Sequence, residues 1–148
     1  MTHLTRTRRH IVAALSIIAV LSLFPALSAH AATNGGSRRY QYVSSQICPI
    51  DWRKNTKQVK RLVSCAANRW SVPGGPAKAR AIAYRESRYQ PRAYNSSGAM
   101  GIYQHMKRYW PNRAYAYGFK GWSAFNARAN IIVTMRMVHR DGWGPWGG

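Results

Sequence analysis

Carboxylates are nearly missing from this chain of 148 residues: Glu86 is its only glutamate and Asp51 and Asp141 its only aspartates, against 23 lysines and arginines. Any chemistry that needs a carboxyl group therefore has three candidates. Cysteine is scarcer still, with Cys48 and Cys65 alone, and beyond residue 31 the only histidines are His105 and His139. Nothing in their spacing makes a metal site, and neither metal nor other cofactor is expected. No internal repeat, second composition regime or long linker divides the chain, which argues against two domains. No segment sustains an alternation of apolar and polar residues, which excludes a large sheet and leaves a mostly α fold with little or no β structure.

One long apolar run is present, and it lies at the start. Arg6, Arg8 and Arg9 precede a nearly unbroken apolar stretch from Ile11 to Leu27, followed by Ala29-His30-Ala31. A basic start, an apolar middle and small residues at a cleavage site describe a secretory signal peptide over residues 1–31. A retained membrane anchor is the rival reading of a run this long; Pro25 and the small residues favour cleavage, after which no stable membrane insertion is expected. Residues 32–47 read as a flexible arm and 48–148 as the folded domain.

The formal charge of +20 excludes few partners by itself. Nucleic acid is the usual polyanion for so basic a chain. An exported protein instead meets acidic wall polymers, so no specific nucleic-acid partner is expected. Export also decides the cysteines: two of them in an oxidising compartment read as one disulfide, Cys48 to Cys65.

Periodicity places the helices. Val59, Leu62, Val63, Ala66, Ala67 and Trp70 make one apolar stripe, with Thr56 as its expected N-cap. Pro73-Gly74-Gly75-Pro76 breaks the chain, Pro76 suits the first turn of a second helix, and an alanine-rich helix is expected over 77–89, before Pro91. Tyr94 to Gly101 has loop composition. A short third helix is predicted from Ile102 to Tyr109, stopping before Pro111. A last helix is capped by Asn126, buries Ile131, Ile132, Met135 and Val138, and ends at Gly142.

Between these elements lies Glu86-Ser87-Arg88-Tyr89-Gln90-Pro91, then Gly98-Ala99-Met100-Gly101-Ile102-Tyr103-Gln104, and later Asn130-Ile131. Together they resemble the soluble lytic transglycosylases of bacteria, whose lysozyme-like domain (goose-type or SLT) carries a Glu-Ser pair near a helix end, a proline five residues after the glutamate, a Gly-x-x-Gly-(Leu/Ile)-x-Gln block and an asparagine-isoleucine pair. The resemblance implies a small helical domain that cleaves peptidoglycan glycan strands. It implies Glu86 as the catalytic residue, Gln104 beside it on substrate, Ser87 orienting it, and Gly98 and Gly101 letting the loop backbone approach a sugar. Tyr103, inside the block, is the aromatic candidate for stacking on a pyranose. Helical geometry points Arg85 and Arg88 away from Glu86.

Glycosidases ordinarily use two carboxyl groups, and this chain offers one in a recognisable setting. The resemblance implies a substrate-assisted route in which one glutamate acts first as acid and then as base, giving a 1,6-anhydro sugar between N-acetylmuramic acid and N-acetylglucosamine. A muramidase that admits water at the same bond is an alternative, as is a cationic wall-binding protein without turnover. Many family members also carry a tyrosine in a Tyr-Asn-x-Gly stretch that contacts the glutamate. Here Gly142-Trp143-Gly144-Pro145-Trp146-Gly147-Gly148 stands in its place, which leaves the partner of Glu86 open. A monomer suffices for all of these readings.

Overall fold

The computed structural model describes residues 46–148; the predicted signal peptide and nearly all of the predicted arm lie outside the described residues. Helix α1 (Thr56–Arg69) buries Val59, Leu62, Val63, Ala66 and Ala67 of the predicted stripe, while Trp70, its last member, is the half-buried C-cap beyond the helix end. Its N-cap is Asn55 instead of Thr56: the Asn55 side chain accepts from the Gln58 amide at 3.1 Å, satisfying one of the donors a helix start leaves open. Helix α2 (Gly75–Ser87) has Pro76 in its first turn, where a missing N–H costs nothing. It ends two residues before the expected end because Arg88 and Tyr89 both take left-handed backbone, at φ 52° and 64°.

The predicted helix from Ile102 to Tyr109 is absent. Gly101 and Gln104 have φ of 75° and 50°, so the chain turns back, and β2 (His105–Met106) pairs antiparallel with β1 (Ala99–Met100) in the register Ala99 to Met106 and Met100 to His105. The next helix, α3 (Trp110–Ala116), starts where the prediction stopped and carries Pro111 in its first turn. Helix α4 (Ala127–Asp141) has the expected Asn126 cap, accepting from the Ala129 amide at 3.2 Å, and the expected stop at Gly142. A 3₁₀ turn, Gly144–Trp146, follows.

α1 packs on α2 and α4, and α3 packs on α4. Ten of the fifteen residues of α4 are buried, so this helix is the centre of the fold and not an amphipathic surface element. The aromatics close the core: Trp110, Trp143 and Trp146 are buried. Cys48 and Cys65 form a disulfide, and Arg128 donates to the carbonyls of Cys48 and Ile50 at 2.8 and 2.6 Å. The incoming segment is thereby tied to both α1 and α4. Among the described residues no helix is long and apolar enough to cross a membrane.

Candidate active site

Glu86 is the penultimate residue of α2. Its side chain is 23% exposed. Ser87, buried beside it, donates to the carbonyls of Ile102 at 2.8 Å and Ala83 at 3.2 Å. Ser87 therefore fastens the helix end to the 101–104 turn and makes no bond to Glu86. Its contribution to the site is to bring the two sequence blocks together.

The turn is built around Asn130, which is fully buried in α4. Its Oδ1 accepts from the Tyr103 amide at 2.9 Å, and its Nδ2 donates to the Met100 and Ala124 carbonyls at 3.2 and 2.9 Å. One side chain thus satisfies three buried backbone groups, each costly to leave unpaired. This packing explains Gly101: a Cβ there would lie 2.2 Å from the Ala124 carbonyl and 2.4 Å from Asn130 Nδ2. Gly98, at φ 90°, closes the Asn95–Gly98 turn, its amide donating to the Asn95 carbonyl at 2.9 Å.

Gln104 is half-buried and engaged within the loop. Its Nε2 donates to the Gly101 carbonyl at 2.9 Å, and its Oε1 accepts from Asn95 Nδ2 at 3.3 Å. Tyr103 does not occupy the stacking position expected of it. The residue is fully buried, and its hydroxyl donates to the Ala79 carbonyl of α2 at 2.9 Å. Burial raises its phenol well above the ordinary range, and its ring belongs to the core. The reason is that Tyr103 follows the sharp turn at Gly101 and is drawn inward by the Asn130 bond to its amide.

Arg85 also departs from the expected geometry. Its Nε and Nη2 donate to Glu86 Oε1 at 3.2 and 2.8 Å, and Nη2 donates as well to the Trp146 carbonyl. Neighbours on a helix diverge, but a long side chain anchored to that carbonyl reaches round to its neighbour. Neither Arg85 nor Trp146 is marked by any pattern near Glu86 in the sequence. Among the described residues no tyrosine hydroxyl hydrogen-bonds to Glu86: those of Tyr89 and Tyr103 donate to the Arg80 and Ala79 carbonyls, and that of Tyr117 is buried with no partner among those residues.

The other two carboxylates are occupied locally. Asp51 accepts from the Arg53 amide at 3.2 Å, and Asp141 is bonded twice by Arg140, whose hydrogen bonds hold its carboxyl below the usual range. Beneath the site His105 is buried between Thr134 and Arg113. The Thr134 hydroxyl donates to the Asn130 carbonyl at 2.8 Å, so it accepts from His105 Nε2 at 2.8 Å, and Nδ1 accepts from Arg113 at 2.9 Å. Burial, and then the Arg113 charge, lower this histidine to about 3, so it is neutral. No group of His, Cys, Asp and Glu among the described residues can hold a metal ion.

Residues 62–140, over half of the chain, match the family model described as the transglycosylase SLT domain. No curated protein and no solved structure matches the chain. The match contains Glu86, Gln104 and Asn130 but neither Cys48 nor the Gly144–Trp146 turn.

Proposed function

The chain belongs to the transglycosylase SLT-domain family, lysozyme-like enzymes that act on peptidoglycan, and on that premise we propose that Glu86 alone supplies the acid and the base. A single observation carries this reading. The chain has three carboxylates, two of them sit in local contacts with Arg53 and Arg140, and only Glu86 stands at the junction of the two blocks that resemble the family's site. A mechanism with two protein carboxylates therefore has no second member to use.

Protonated Glu86 gives its proton to the glycosidic oxygen as the bond from C1 of N-acetylmuramic acid breaks. The substrate's own N-acetyl group stabilises the positive charge at C1. Glu86, now a carboxylate, takes the proton of the C6 hydroxyl, and that oxygen bonds to C1. The products are a free N-acetylglucosamine hydroxyl and a 1,6-anhydro end, with no water consumed. Gln104 and the backbone of Gly98 line the approach to substrate, while Gly101, buried against Asn130 and Ala124, shapes the turn and Ser87 keeps the helix end in place. The enzyme acts as a monomer outside the cytoplasmic membrane; the basic and apolar start of the sequence and the disulfide, at home in an oxidising compartment, support export. Without Arg6, Arg8 and Arg9 of the signal peptide the formal charge of +20 becomes +17, which favours retention on anionic wall polymers.

The experiment is release of soluble muropeptides from purified peptidoglycan. Glu86→Gln is expected to abolish release while leaving binding to the wall intact. Unchanged release would refute the role of Glu86, and binding without release by the unaltered protein would favour a cationic wall-binding protein.

A further inference from the structure

We infer that Arg85, held by the C-terminal turn, is a positioning residue that fixes the Glu86 carboxylate by Oε1 and reserves Oε2 for the proton. The inference rests on the reading of Glu86 as the acid and base. Both hydrogen bonds from the guanidinium reach Oε1, at 3.2 and 2.8 Å, and Oε2 has no hydrogen-bond partner among the described residues. A carboxylate held at one oxygen keeps its torsion and presents the other oxygen in a fixed direction, which is what proton transfer to a bound sugar requires.

An adjacent, half-exposed ion pair would ordinarily hold nothing in place. Here the arginine has a second anchor, the Trp146 carbonyl, and that carbonyl is itself fixed. Trp146 Nε1 donates to the Tyr103 carbonyl at 2.8 Å. The Trp146 ring lies edge-on to Tyr103, His105 and Trp143, with centroids 6.2, 5.6 and 6.0 Å away. Trp143 Nε1 donates to the Pro73 carbonyl at 2.7 Å. Since the Tyr103 hydroxyl returns to Ala79 of α2, the circuit closes on the helix that carries Glu86. Trp146 lies outside residues 62–140, which match the family model.

The test is a double-mutant cycle in steady-state turnover of solubilised glycan strands, using Arg85→Gln, Arg85→Lys, Trp146→Phe and the Arg85→Gln/Trp146→Phe pair, with Glu86→Gln in parallel. A misplaced catalytic group predicts kcat for Arg85→Gln lower by about ten- to hundred-fold with KM nearly unchanged. Arg85→Lys recovers part of the loss. The pair is no slower than Arg85→Gln alone, because the turn acts through the arginine. A kcat for Arg85→Gln within about two-fold of the unaltered protein, or multiplicative effects in the pair, would overturn the inference. Should Trp146→Phe fail to fold, the Arg85→Gln and Arg85→Lys comparison still decides. Full activity in Glu86→Gln would remove the reading of Glu86 and the inference together; loss there with Arg85→Gln unaffected removes the inference alone.

Discussion

Acid should destabilise this protein through one buried imidazole. In most proteins the acid limb of stability reports many paired carboxylates, but this chain has three in all. His105 is held neutral in the fold at about 3, against an ordinary 6.5 in the unfolded chain. Below pH 6.5 the unfolded chain takes up a proton that the folded one refuses. The stabilisation is therefore complete above pH 6.5 and is lost as pH falls toward 3. Between pH 7.5 and 5.0 the unfolded histidine passes about 1.5 pH units below its pKa, which at about 1.36 kcal/mol per unit is a loss of about 2 kcal/mol. That figure needs only a folded value well under 5. The Arg113 guanidinium faces Nδ1, and its charge opposes protonation of the ring. Urea unfolding followed by tryptophan fluorescence at the two pH values measures the loss, with His105→Gln as the control expected to flatten it. A stability unchanged by pH, or the same slope in His105→Gln, would refute the reasoning, as would an NMR titration showing His105 charged at pH 5.

Two further substitutions test the frame around the site. Gly101→Ala places a methyl group 2.2 Å from the Ala124 carbonyl at a backbone φ of 75°; it should cost several kcal/mol, on the order of 3 or more by displacing the Asn130 bonds, and lower the thermal midpoint together with activity. Cys48→Ser opens a loop of 17 residues' separation and should lower unfolding free energy by about 3 kcal/mol, with the same loss on reduction of the unaltered protein; equal stability before and after reduction would contradict it.

What the sequence made legible follows from how local each determinant is. The stripe of α1, the Asn126 cap, the Gly142 stop and the cysteine pair are set by neighbours within a turn or two, or by the count of cysteines alone. Asn55 and Thr56 are both good caps, and only the backbone angles of Asn55 decide between them. The third helix fails for a different reason. Ile102 to Tyr109 is a short apolar run, a pattern common to helices and buried hairpins, and Pro111 reads equally as a stop or as a first-turn residue. The deciding facts are the clasp of Asn130 on the backbone of Met100 and Tyr103 and the positive φ of Gln104, neither visible along the chain. The positions of Tyr103 and Arg85 are likewise set by partners distant in the chain. One is drawn inward by a bond from a residue 27 positions away, and the other is turned toward Glu86 by a carbonyl 61 positions away.

The proposed single-carboxylate mechanism meets its most direct test in the mass of the products. Purified peptidoglycan treated with the protein should yield muropeptides with 1,6-anhydro ends, lighter by one water than hydrolysed ends, and the same digest with Glu86→Gln should yield none. Hydrolysed ends, or anhydro products that persist in Glu86→Gln, would contradict the account.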